Sequence, residues 1–98
     1  MAMDFNNENT KYLYTALAAV ETAEEAQALL EDLCTIGELL EMTNRIAAAR
    51  MLADGRTYNE ICEATGLSTA TVTRVNRALK YGSGGYKLIL KRMERREE

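Results

Sequence analysis

The side chains best suited to chemistry lie between Arg56 and Lys80, and their types suit binding rather than bond-making. Ser68-Thr69-Ala70-Thr71-Val72-Thr73-Arg74, then Arg77 and Lys80, is a run of small and hydroxyl residues that becomes basic, with no acid inside it. A helix that begins with small residues can enter a major groove about 12 Å wide, where Thr and Ala can touch a thymine methyl. Arg74 and Arg77 can reach base edges or phosphates, and Arg56, Asn59 and Lys80 can reach flanking phosphates. The expected contact set is Arg56, Asn59, Ser68, Thr69, Ala70, Thr71, Thr73, Arg74, Arg77 and Lys80. If Arg56, Arg74, Arg77 and Lys80 of two subunits all met phosphates, log K against log salt would slope at roughly −7.

These residues need a rigid mount, and the surrounding sequence describes one. A helix-turn-helix crosses a short and a longer helix steeply over a tight turn. The first helix needs an apolar residue facing the second, here Ile61, and a small neighbour where the helices touch, here Cys62. Gly66 can take the positive φ the turn requires, and Leu67 follows as a core plug. Val72, Val75 and Leu79 then recur three and four apart, turning one apolar face of the second helix inward.

Other chemistries lack their residues. There is no His, which removes His-based triads, His general bases and the usual zinc sites. Cys34 and Cys62 form no local ligand cluster, and Cys62 reads as a buried small residue because no base accompanies it. Cys34 reads as core. Gly82, Gly84 and Gly85 match no phosphate-binding fingerprint. No paired carboxylates are tied to a pocket, so we expect no enzyme, no metal and no cofactor.

Ninety-eight residues, 47% hydrophobic and 28% charged, suit one domain of ordinary composition. The absence of proline and the abundance of Ala, Leu, Glu and Arg predict an all-α fold of about six helices. Apolar spacing predicts a first helix over about 7–20, with Phe5, Tyr12, Leu13, Ala16, Leu17 and Val20 on one face. Thr22 with Glu25, Thr35 with Glu38 and Thr57 with Glu60 are capping boxes that open the next three helices. The longest is expected over 36–53, with a main stripe of Ile36, Leu39, Leu40, Thr43, Ile46 and Ala47, ended by Asp54-Gly55. A short helix over 58–65, a second capped by Ser68 and running to about Lys80, and a last one over 84–96 that frays from Glu94 complete the set. Tyr81 and Tyr86 bracket the glycine turn and are expected to anchor the last helix. The single domain then divides into dimerisation helices (7–53), the helix-turn-helix (57–80) and the C-terminal helix (84–96).

No apolar run approaches the roughly 20 residues that cross a bilayer. Met1-Ala2-Met3-Asp4 lacks the regions of a secretory signal, and two cysteines suit a reducing compartment, so a cytoplasmic location is expected. The net charge of −3 conceals an asymmetry. Residues 1–42 carry nine acids and one base, a net −8, whereas residues 43–98 carry eleven bases and six acids, a net +5. A basic half on an acidic protein points to a polyanionic partner for that half.

Asn59-Glu60-Ile61-Cys62-Glu63-Ala64-Thr65-Gly66, then Thr69-Ala70-Thr71-Val72-Thr73-Arg74 and Ala78-Leu79-Lys80, resembles the Trp repressor family. The likeness spans about Leu33 to Arg92 and looks closest to its small bacterial regulators rather than to the tryptophan sensor. It implies an intertwined homodimer whose recognition helices lie about 34 Å apart. In that family two Arg sandwich a co-repressor indole. Arg74 matches one, and the other falls on Asn44 or Arg45. A family Gly that makes room for the ring is Val75 here, and a Ser near the ligand amine is Ala78. Asn44, Arg45, Arg74, Val75 and Ala78 therefore outline an effector pocket in which Val75 should fill the slot, so tryptophan is not expected to bind and any other small effector is unknown. The expected function is a homodimeric, sequence-specific DNA-binding transcriptional regulator, a repressor on a pseudo-palindromic operator of double-stranded DNA, with no membrane association. The alternative is a protein-interaction module built on a helix-turn-helix that no longer binds DNA.

Overall fold

The computed structural model describes residues 7–97, so the expected role of Phe5 lies outside the described residues. Six α-helices follow one another: α1 Glu8–Ala18, α2 Ala23–Leu33, α3 Ile36–Ala53, α4 Tyr58–Thr65, α5 Thr69–Tyr81 and α6 Gly85–Glu97. No strand occurs among the described residues. The chain divides into two compact units, residues 1–39 and 40–98, with the division falling inside α3.

Helix starts follow from local hydrogen bonding. Asn7, not singled out by sequence, caps α1: its Oδ1 accepts from the Thr10 N–H at 2.8 Å. Thr22 caps α2 by accepting from the Glu25 N–H, but Glu25 reaches back to the N–H of Glu21, not Thr22, at 2.9 Å. That box is therefore displaced by one residue. The boxes at Thr35–Glu38 and Thr57–Glu60 are reciprocal, each acid accepting from the N–H of its Thr. At the end of α3, Gly55 has φ 83°. There the Arg56 N–H donates to the Met51 carbonyl and the Gly55 N–H to that of Leu52, a Schellman closure. α6 runs on to Glu97 instead of fraying from Glu94.

The core sits in unit 40–98 and is small: Ala48 and Ala49 of α3, Ile61 of α4, Val72 and Val75 of α5. Met51, Leu52, Tyr58, Cys62, Leu67, Tyr86 and Leu90 pack around it. Two expectations change here. The α3 stripe read from spacing is largely uncovered in a single chain, with Ile36 82% and Leu40 58% exposed, and α3 meets the core through Ala48 and Ala49. Tyr86 packs on the core as expected, but Tyr81 is 83% exposed and anchors nothing. In unit 1–39, α1 and α2 bury no residue, Cys34 is only half-buried, and Leu13, Leu17 and Leu33 are exposed.

Candidate nucleic-acid interface

The interface is built outward from Ile61. Ile61 and Val72 are fully buried against each other's helices, with Val75 one turn on, so the apolar face of α5 is committed to α4 and α3. The turn between α4 and α5 is fixed by the left-handed Gly66, φ 76°, whose N–H donates to the Cys62 carbonyl. Thr65 tightens it: its hydroxyl donates to the Ile61 carbonyl at 2.7 Å and accepts from the Leu67 N–H at 3.2 Å. Ser68 opens α5 by accepting from the Thr71 N–H. Burying Val72 and Val75 rotates the opposite face to solvent. Ala70, Thr73, Arg74 and Arg77, spaced i, i+3, i+4 and i+7, are all exposed on it.

Of the residues expected to meet DNA, Ser68, Thr69, Ala70, Thr73, Arg74, Arg77 and Lys80 are exposed on α5 or at its cap, and Asn59 is exposed on α4. Thr71 is half-buried, with its Oγ1 accepting from the Ser68 hydroxyl at 3.1 Å. Arg56 is exposed but engaged: its Nε donates to Glu60 Oε2 at 2.6 Å. The Arg56 guanidinium holds the Glu60 carboxyl below the usual carboxylate range, assisted by the Thr57 N–H and hydroxyl. Glu60 thus caps α4 and occupies one of the expected phosphate ligands. That dual role was readable from the i, i+4 spacing of Arg56 and Glu60. Among the described residues, Arg74, Arg77 and Lys80 have no ion-pair partner.

Behind Arg74 lies a cavity of about 230 Å³ lined by Arg45, Thr71, Arg74, Val75, Ala78 and Tyr86. Four of the five residues expected around an effector meet there. Asn44 is half-buried and is not among the lining residues, so Arg45 is the one of the two that shares the lining with Arg74. Val75 forms one wall and leaves the space open. Thr71 and Tyr86 complete the lining and were not foreseen. Arg45 donates to Glu41 one turn away at 2.9 Å. A second, apolar groove of about 470 Å³ runs along Ile46, Ala78, Tyr86 and Ile89.

This arrangement defines an all-α helix-turn-helix protein with a basic, acid-free second helix. The family model of the Trp repressor protein matches residues 8–94. The uncharacterized protein YerC of Bacillus subtilis (strain 168) is 40% identical over 85 residues, covering 87% of this chain and 82% of that protein. A solved TrpR-like protein from Eubacterium eligens superposes with a TM-score of 0.86 at 40% identity, over 92% of this chain and 93% of that one. A candidate Trp repressor from Staphylococcus aureus gives the same TM-score at 34% identity, over 95% and 96%. The chain belongs to the Trp repressor family, and within it fits the small Trp-repressor-related regulators.

Proposed function

We propose that the protein is a homodimeric, sequence-specific DNA-binding transcriptional regulator, a repressor that covers a pseudo-palindromic operator with one α5 helix in each of two major grooves. One observation carries the reading: the face of α5 that holds Ala70, Thr73, Arg74 and Arg77 is exposed and acid-free, while Val72 and Val75 lock the opposite face to the core. Such a surface offers small residues for groove entry and cations for phosphates and guanines.

Dimerisation is supported by uncovered apolar surface. Leu13, Leu17, Leu33, Ile36, Leu40, Ile46, Leu88 and Ile89 are all exposed in one chain, apolar surface that a second copy would cover. The 7–53 segment supplies most of them and is the proposed dimerisation part of a single domain. The Arg45–Arg74 cavity is where a small effector would act on DNA binding, since Arg74 belongs to both surfaces. We assign tryptophan no part in this and the protein no catalysis. No helix of the described residues is long and apolar enough to cross a membrane, which suits a cytoplasmic regulator.

The acidic first half favours a second reading, a helix-turn-helix that binds a protein instead. Selection from a random duplex pool separates them. Enrichment of a pseudo-palindromic motif, lost with Arg77→Ala, is the result expected of a regulator. Failure to retain any duplex, with stoichiometric capture of one protein partner, selects the interaction module.

A further inference from the structure

The α5 face carries a feature that the regulator reading does not by itself require: the hydroxyl hydrogens of Ser68 and Thr73 are already spent. The Thr73 hydroxyl donates to the Thr69 carbonyl at 2.9 Å, and a carbonyl can only accept, so Thr73 has no hydrogen left for a base. Ser68 donates to Thr71 Oγ1 at 3.1 Å while accepting from the Thr71 N–H. The exposed Thr69 hydroxyl lies 3.9 Å from Cys62 Sγ, a contact in which either group can donate. Ala70 has no polar side-chain atom. At Ala70 and Thr73 the exposed side chains therefore offer methyl groups and no free donor, and the hydroxyl bond also fixes the Thr73 rotamer. Arginines begin immediately beyond them, at Arg74 and Arg77.

In the major groove only thymine carries a methyl group, while guanine shows two acceptors that a donor-free surface cannot satisfy. We propose, resting on the DNA-binding reading above, that Ala70 and Thr73 specify thymine in each half-site by packing against its C5-methyl, and that on this face guanine contacts fall to the arginines. The Thr73 hydroxyl serves as an internal strut of α5, and its γ-methyl is the reader.

The test substitutes uracil for each thymine of the selected operator, one at a time, which deletes the methyl and leaves every hydrogen-bonding group. Uracil at one or two positions per half-site weakens binding about fourfold, the value of one buried methyl-sized group. Thr73→Ser keeps the hydroxyl and removes the methyl: it shows a similar loss on thymine and little further loss on uracil at its own position. Thr73→Val keeps the methyl and removes the hydroxyl, and it retains the preference for thymine over uracil at its own position. Circular dichroism confirms the helicity of both variants, whose position is exposed. If uracil is tolerated everywhere while salt-sensitive operator binding persists, or if Val loses affinity and Ser does not, the thymine assignment is overturned and the regulator reading stands. If no duplex is selected at all, the regulator reading fails and the thymine assignment goes with it.

Discussion

Replacing Glu60 by Gln should make DNA binding tighter at low salt and steeper in its salt dependence. The parent protein offers three unpaired cations per copy on the α5 surface, Arg74, Arg77 and Lys80, because Arg56 is held by Glu60 at 2.6 Å. Six cations in a dimer give a slope of log K against log salt of roughly −5, not the roughly −7 expected when Arg56 is counted. Gln still accepts from the Thr57 N–H, as capping boxes with Gln do, so α4 keeps its start while Arg56 loses its counter-charge. The slope of the variant should then approach roughly −7. Between about 50 and 200 mM salt the parent would lose affinity about 2,000-fold and the variant about 20,000-fold. Fluorescence anisotropy on a labelled operator measures both lines. Equal slopes for the two proteins would refute the reasoning, since Arg56 would then either never meet DNA or be equally free in both. A slope near zero in the parent would remove the electrostatic argument altogether.

Ile61→Ala should cost about 2–5 kcal/mol in urea unfolding, because Ile61 is fully buried at the centre of a small core with little freedom to collapse. Ile36→Asp should convert a dimer into a monomer in sedimentation, while a parent melting temperature that does not move with dilution would contradict the dimer. Glu60 and Glu38 both titrate below the usual carboxylate range, Glu60 chiefly through Arg56 and Glu38 chiefly through the Thr35 N–H. Depressed carboxyls stabilise the fold above their ordinary range and lose that contribution as pH falls through the depressed value, so the melting temperature should fall on acidification and fall less in Glu60→Gln. Titration calorimetry with tryptophan should give no binding heat, since Ala78 stands where the family resemblance places a Ser near the ligand amine; micromolar binding abolished by Arg74→Ala would overturn that expectation.

Helix placement was largely legible because capping chemistry is local. Thr35, Thr57, Ser68, Gly55 and Gly66 each mark a boundary by what one side chain or one positive φ does to neighbouring N–H and carbonyl groups. Asn7 escaped notice for want of an acid three residues on, and the Glu25 side chain passed over Thr22 because Glu21 supplies an equally free N–H. Burial was less legible. In α3 the bulky stripe of Ile36, Leu40 and Ile46 outweighs Ala48 and Ala49 in any spacing argument, yet it is the alanines that are buried in the core. The bulky positions stay uncovered in one chain, and no spacing rule distinguishes a residue facing its own core from one facing a second copy. The helix-turn-helix was readable residue by residue from Ile61 to Leu79, since its turn and inward face obey a single periodicity. The second arginine of the cavity was not, because one residue of register separates Asn44 from Arg45 and only the three-dimensional path of α3 places Arg45 on the lining.

The central claim is that the exposed face of α5 lies against a duplex. Backbone and side-chain NMR shifts recorded while a selected operator is titrated into the protein test it directly. The account predicts the largest changes at Ala70, Thr73, Arg74 and Arg77, with smaller ones near Asn59 and Lys80 and little change in α1 and α2. Shifts concentrated in α1 and α2, or none in α5 at saturating DNA, would contradict it.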